Sequence, residues 1–350
     1  MGRTRFDVLF IGYFGFGNLG DELILGALAT AIRRAVPDAR LAALSGPQGL
    51  GEGPSRWVHA VPRSDGLAVR AALSSTRVAC IGPGGIFQDA TSLSSCAWYA
   101  FQTWRAAHRR ARVVHVGQSL GPLNTPLGRG IARCALRMGQ EIVLRDGPSV
   151  ALAGDLGCEA HEGADLAWLL PTPDRAAAES RRRVGLAPRP WPRGNTSPAW
   201  WAQVAREVER RGLEPVWLPM APDDARLAGE AERLTGRTRE APKPFESGEE
   251  ALDSLVGCRA VIGMRLHSLV LGCLSGAEPM GVSYDPKIDG LLAGLGRTSV
   301  CDVMEPCSPE EIGARLDRAP DPVPWAAIDR QKELAGRSVE AVLRALKQAR

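Results

Sequence analysis

The sequence holds no CxxC pair among its eight cysteines (80, 96, 134, 158, 258, 273, 301 and 307) and no HxxxH. Zinc sites and redox dithiols need such spacings, so no metal site is expected, and the cysteines read as reduced, buried thiols. No run of about 18 apolar residues occurs, which argues against a membrane span. Charge of either sign is not in excess: 43 basic against 39 acidic side chains leave +4. That balance is too mild and too dispersed for a nucleic-acid protein, though it suits a small anionic substrate. Internal repeats and low-complexity tracts are missing too. The start, "MGRTRFDVLF", enters a strand pattern without an apolar leader, so a cytoplasmic location is expected, with contact at the inner face of the cell membrane left open.

What is present is enough chain for two cores. The 350 residues are 45% hydrophobic, and the length favours two domains over one. Strand-like runs at 7–13, 39–45, 76–82, 112–119 and 141–146 alternate with helical runs at 21–36, 67–75, 95–111 and 127–138. After "DLAWLLPTPD", with its hinge-like prolines, a second series follows. Strands are expected within 181–191 and at 214–220, 259–265 and 278–284, and helices at 198–212, 223–236, 248–258, 266–276, 287–296 and 324–350. Such alternation predicts parallel α/β sheets: two Rossmann-like doubly wound domains facing each other, 1–172 and 173–350.

In doubly wound sheets ligands sit beyond the carboxyl ends of the strands. The first such end, "GYFGFGNLGDELILGAL" (12–28), has the glycine spacing of a dinucleotide loop. Asp21 and Glu22, however, stand where a pyrophosphate needs bare N–H groups, and no acid follows the second strand to bind a ribose. A polar loop bonding a sugar, through residues such as Asn18 and Asp21, fits better than a nicotinamide site, and a capped strand-to-helix turn is the structural alternative. "IGPGGIFQDATSLSS" (81–95) adds Gln88, Asp89, Thr91 and Ser92, which suit sugar hydroxyls or a helix cap. "VGQSLGPL" adds Gln118 and Ser119, and Arg145 with Asp146 ends the fifth strand.

The second half supplies "GMRLHS" and "YDPKID". Arg265 offers bidentate recognition of phosphate or carboxylate at a helix start, His267 a titratable group, and Lys287 a further cation. Each alone is more often structural; at successive strand ends together they describe an anion site. "WRAAHRRAR" (104–112) is a solvated helix face or a contact for anionic lipid headgroups.

"FGFGNLGDELIL", "GPGGIFQDATSLSS", "WYAF", "VGQSLGPL", "LRDGPSVALAGDLG", "GADLAWLL", "APRPW" and "GMRLHSLVLGCLSGAEPMGVSYDPKIDGLLAGLG", in this order over residues 7–297, resemble the polysaccharide pyruvyl transferases of the CsaB type. Pro83 stands where that pattern has glycine, and "LAPRPW" is richer in proline, which weakens any role carried onto Arg189. The resemblance implies a GT-B-like fold and transfer of pyruvate from phosphoenolpyruvate, as a 4,6-ketal, to N-acetylmannosamine of a lipid-linked cell-wall polymer precursor. Such ketals anchor surface-layer proteins. It further implies donor binding by Arg145, Arg265 and Lys287, acid catalysis by His267, and no cofactor beyond the co-substrate. Asn18, Asp21, Gln88, Asp89 and Gln118 are expected on the acceptor side, with Asp89 or Asp21 orienting or deprotonating the hydroxyls. A nucleotide-sugar glycosyltransferase of the same fold is the alternative, a non-catalytic sugar-binding protein a third; the oligomeric state stays open.

Overall fold

"FDVLFIGYF" forms strand β1 (Phe6–Phe14), buried along its length except at Asp7 and Tyr13. A strand hidden on both faces belongs inside a parallel sheet, and β1 lies between β2 (Leu41–Ser45) and β4 (Thr76–Ile81), parallel to both. In this computed structural model the described residues are 6–51, 56–90, 92–172, 181–192, 194, 196–237, 240–305 and 307–349.

The chain divides into two compact units, one of Met1–Leu170 with Arg330–Arg350, the other Pro171–Asp329. The first unit's sheet runs β3-β2-β1-β4-β6-β7-β8, with β5 paired to β6. The remaining strands are β3 (Val58–Pro62), β5 (Gly84–Phe87), β6 (Arg112–Leu120), β7 (Glu141–Leu144) and β8 (His161–Glu162). Its helices are α1 (Leu19–Ala35), α2 (Gly66–Ser75), α3 (Leu93–His108), α4 (Pro126–Leu136) and α5 (Gly147–Asp155). The expected strands and helices of this half are all found. β3, β5 and β8 were not anticipated: "VHAVP" is exposed at three of its five positions, "GGIF" carries a turn's glycines, and β8 is only two residues long.

The second unit's sheet runs β10-β9-β11-β12-β13, every pair parallel. Its strands are β9 (Arg183–Ala187), β10 (Glu214–Trp217), β11 (Cys258–Gly263), β12 (Glu278–Ser283) and β13 (Cys301–Asp302). Its helices are α6 (Pro198–Arg210), α7 (Pro222–Thr235), α8 (Gly248–Leu255), α9 (Leu266–Leu274), α10 (Pro286–Gly294) and α11 (Pro309–Arg315), before α12 (Trp325–Gln348). β10 stops at Trp217, short of the expected 220, ahead of Pro219.

Residues 330–350 count with the first unit, although a division at 172/173 would give them to the second. Hydrogen bonds explain it: Arg77 donates to the Leu346 carbonyl at 3.0 Å and Arg337 to that of Glu162 at 2.8 Å, while Arg344 pairs with Glu141 at 2.7 Å. The expectation of eight reduced thiols is corrected as well. Cys301 and Cys307, their Cα atoms 5.7 Å apart, are disulfide-bonded because the short link from β13 to α11 folds back on itself. Cys80, Cys96, Cys158, Cys258 and Cys273 are buried and free, and Cys134 is exposed. Among the described residues no helix is long and apolar enough to cross a membrane.

Candidate functional site

Four neighbouring strands of the second unit deliver charged groups beyond their carboxyl ends. Strand β11 ends at Gly263, where an added Cβ would come within 2.9 Å of both the Ala187 Cβ and the Ser268 Oγ. Only glycine lets β11 and β9 approach so closely here, and the chain then turns through Met264 to Arg265, the N-cap of α9. The Arg265 guanidinium is gripped edge-on by Asp224, with Nε donating to Oδ2 at 2.8 Å and Nη2 to Oδ1 at 2.6 Å. Asp224 is fully buried at the start of α7, just after β10, and its Oδ2 also accepts from the Met220 N–H. Burial pushes the Asp224 carboxyl up, while Arg265 and Arg189 pull it down. A fork held by one edge in this way is preorganised to present its other edge to a planar anion.

Beyond β12 lies Tyr284, with a cation on each side of its role. The Arg189 Nη1, beyond β9, donates to the Tyr284 hydroxyl at 2.8 Å, and its guanidinium sits 4.8 Å from the ring centre. The Lys287 Nζ, from the first turn of α10, lies 5.2 Å from the same ring and 3.6 Å from Asp285 Oδ2. Trp191 closes against Tyr284 at 4.8 Å between centroids. Arg189, Arg265 and Lys287 thus share two carboxylates, Asp224 and Asp285, and the cluster is net cationic. His267 follows in the first turn of α9, partly exposed, with its Nε2 shielded from solvent.

The sequence placed Arg265, His267 and Lys287 here but did not find Asp224 or Tyr284, and it discounted Arg189. Asp224 was legible only as the second acid of "PDDARL", which reads as a helix start favoured by the dipole. Arg189 was discounted because the stretch around it is rich in proline, and Tyr284 carries no charge to mark it.

In the first unit the polar loops hold one another. Asn18 caps α1, accepting from the Gly20 N–H at 3.2 Å, and its Nδ2 donates to Asp21 Oδ2 at 2.5 Å. Asp21 also comes close to the second glycine loop, 3.5 Å from where a Cβ on Gly84 would lie. Glu22 accepts from the Gly15 N–H at 2.7 Å, so a carboxylate occupies a donor that a pyrophosphate would use. Burial raises the Glu22 carboxyl above its ordinary range. Gln88, partly exposed, follows β5 directly. Beside these loops, Tyr13 stacks on Phe16 at 4.3 Å, and Arg63 lies 3.8 Å from the Trp98 ring centre.

Three expected ligands are otherwise engaged. Asp89 closes the loop before α4: Oδ1 accepts from the Asn124 N–H at 2.7 Å, and Oδ2 from the Thr125 N–H and hydroxyl at 2.8 and 2.6 Å. The Thr125 hydroxyl above all, with the Asn124 amide, draws its carboxyl below the usual range, which suits a structural acceptor and makes a poor base. Gln118 is fully buried, donating to His115 Nδ1 at 2.9 Å. Since His115 Nε2 faces the Ala135 carbonyl at 3.1 Å, the proton sits on Nε2 and Nδ1 accepts. Arg145, 10% exposed, is held between Asp165 at 3.3 Å and Asp146 at 3.5 Å, which already balance its charge. Thr91 lies outside the described residues, and Ser92 caps α3. Among the described residues no group of three or more His, Cys, Asp or Glu is placed to hold a metal ion.

Solved structures share the architecture. A UDP-N-acetylglucosamine 2-epimerase from Neisseria meningitidis is 7% identical, with TM-score 0.60 over 98% of this chain and all (100%) of that one. The wall teichoic acid polymerase TagF is 11% identical, with TM-score 0.55 over 98% of this chain and 89% of its own. A glycosyltransferase from Rickettsia africae is 9% identical, with TM-score 0.52 over 99% and 97%. At such identities the likeness shows the fold alone, that of GT-B glycosyltransferases and epimerases. A search of curated proteins returns no significant match. The polysaccharide pyruvyl transferase family model matches residues 18–286, from the cap of α1 to the start of α10, a span that holds Arg189, Asp224 and Arg265 and stops one residue before Lys287, and the chain belongs to that family.

Proposed function

We propose that this transferase moves the pyruvyl group of phosphoenolpyruvate onto two hydroxyls of one sugar in a cell-wall polysaccharide precursor, closing a ketal. The observation that carries this reading is a set of cations at adjacent strand ends: Arg189 and Lys287 against Tyr284, and Arg265 held by the buried Asp224. Phosphoenolpyruvate brings a phosphate and a carboxylate on adjacent atoms, and three cations on a rigid sheet edge suit both.

His267, two residues after Arg265 in the first turn of α9, protonates the methylene carbon and leaves an oxocarbenium-like centre at C2. One sugar hydroxyl attacks C2, the second follows as phosphate departs, and the ketal closes. Of the two hydroxyl protons released, one replaces the proton that His267 delivered and the other leaves with phosphate. Asn18, Asp21 and Gln88 are the acceptor-side candidates. Asp89 and Arg145 are set aside as direct ligands, because the Asn124–Thr125 turn and the Asp146 and Asp165 carboxylates hold them, and Gln118 because it is fully buried with its amide N–H given to His115. The resemblance to the CsaB type favours the 4- and 6-hydroxyls of N-acetylmannosamine on a lipid carrier, with no cofactor.

Incubation with phosphoenolpyruvate and an N-acetylmannosamine glycoside tests the reading. Phosphate release matched by a new ketal methyl resonance supports it. Nucleotide release from a sugar nucleotide, with phosphoenolpyruvate untouched, overturns it in favour of a glycosyltransferase.

A further inference from the structure

Helices α2, α3 and α4 contain no aspartate or glutamate, in a chain with 39 of them. They carry Arg70, Arg105, His108, Arg129 and Arg133, and Arg109 and Arg137 cap the last two. On the same helices stand four large apolar side chains that protrude instead of packing: Leu67 is 79% exposed, Leu127 61%, Phe101 52% and Trp104 48%.

On α3 these groups form one stripe at positions i, i+3, i+4 and i+7. The Phe101 ring stacks on Trp104 at 5.8 Å, Trp104 on His108 at 5.2 Å, and the Arg105 guanidinium lies 5.7 Å from the Phe101 ring centre. Arg109 reaches across to the Ser74 hydroxyl of α2 at 3.1 Å. The Leu67, Arg70 and Ser74 spacing places all three along one side of α2. Partial burial lowers the Arg105 guanidinium below its ordinary value, and Arg109 and Arg70 push the same way. Like charges have gathered along three helices that carry no acid of their own.

We propose that this face, the outer stripe of α3 with the adjoining sides of α2 and α4, docks on an anionic phospholipid bilayer. Charge complementarity selects that occupant. Guanidinium groups meet lipid phosphates at the depth where stacked aromatic rings also prefer to sit, between water and acyl chains. Their aliphatic stems lie along the apolar stripe while the heads stay in water, and each arginine near such a surface adds to the attraction. The surface is independent of the pyruvyl-transfer reading and stands or falls without it.

The test is co-sedimentation of the full chain with vesicles of phosphatidylcholine containing phosphatidylglycerol, against phosphatidylcholine alone. The chain is expected to pellet with the anionic vesicles only, and to be released as salt is raised. Arg105→Glu with Arg109→Glu, and separately Phe101→Ser with Trp104→Ser, should each weaken partitioning at least about tenfold while the melting curve stays in place. Equal partitioning onto both vesicle types, no pelleting with either, or unchanged partitioning of the folded arginine variant overturns the proposal. So does tighter binding to an oligonucleotide than to vesicles, or a dimer that the Phe101 and Trp104 substitutions dissolve; either reassigns the face.

Discussion

The Arg265 guanidinium and the Asp224 carboxylate meet edge to edge, 2.8 and 2.6 Å apart, and the carboxylate is wholly out of water. Removing one partner strands the other charge in the interior. Asp224→Ala is expected to cost about 3–5 kcal/mol of stability, read from the urea midpoint at an unchanged slope. Asp224→Asn, which keeps one acceptor, should cost less. In the folded fraction of either variant, affinity for phosphoenolpyruvate should fall before kcat does.

His267→Ala should lower kcat by at least about 100-fold with the thermal transition unchanged. Arg265→Ala, Arg189→Ala and Lys287→Ala should act chiefly on the KM for phosphoenolpyruvate. A His267→Ala enzyme with wild-type kcat would make this histidine structural.

Asp89→Asn separates an anchor from a base. Because both Asp89 oxygens face the Asn124–Thr125 turn, the variant should melt earlier while its kcat falls far less than the about 100-fold that loss of a general base brings.

His115 makes the fold acid-sensitive. Burial depresses its pKa from 6.5 to about 4, so the folded state holds the ring neutral while the unfolded chain takes up a proton at higher pH. The stability this provides is present above pH 6.5 and is lost as pH falls towards 4, about 3 kcal/mol in all. Denaturation midpoints across that window should show the slope, and His115→Leu should flatten it.

Gly15→Ala should destabilise the first unit by more than the about 1 kcal/mol of an ordinary glycine exchange. Gly15 has φ +76°, and an added Cβ would lie 2.6 Å from the Gly46 N and 2.9 Å from the Gly49 oxygen. Urea unfolding measures it.

Long apolar runs such as "FDVLFIGYF" made the parallel sheets legible, since a strand buried on both faces carries its hydrophobicity in one piece. Arg265 was legible as a candidate because a charged residue directly follows such a run. Asp224 was not, because its meaning depends on a partner 41 residues away. Asp89, Gln118 and Arg145 also follow strands, and the structure pairs each with a neighbouring side chain or turn. A polar residue after a strand looks the same in sequence whether it faces a ligand or a neighbouring loop, and only the Thr125, His115 and Asp165 contacts decide. The cysteine pair 301 and 307 lacked any recognised spacing.

Residues 330–350 return to the first unit after the whole second unit has intervened, and this sets an order on the ribosome. When Leu170 has been made, the carboxylate of Glu141 and the guanidinium of Arg77 still lack the α12 partners that Arg344 and Leu346 will supply. The second unit, continuous in sequence, has all its residues first. The half of the protein that is translated earliest is therefore completed last, and a nascent chain arrested before residue 330 carries an open seam where α12 belongs.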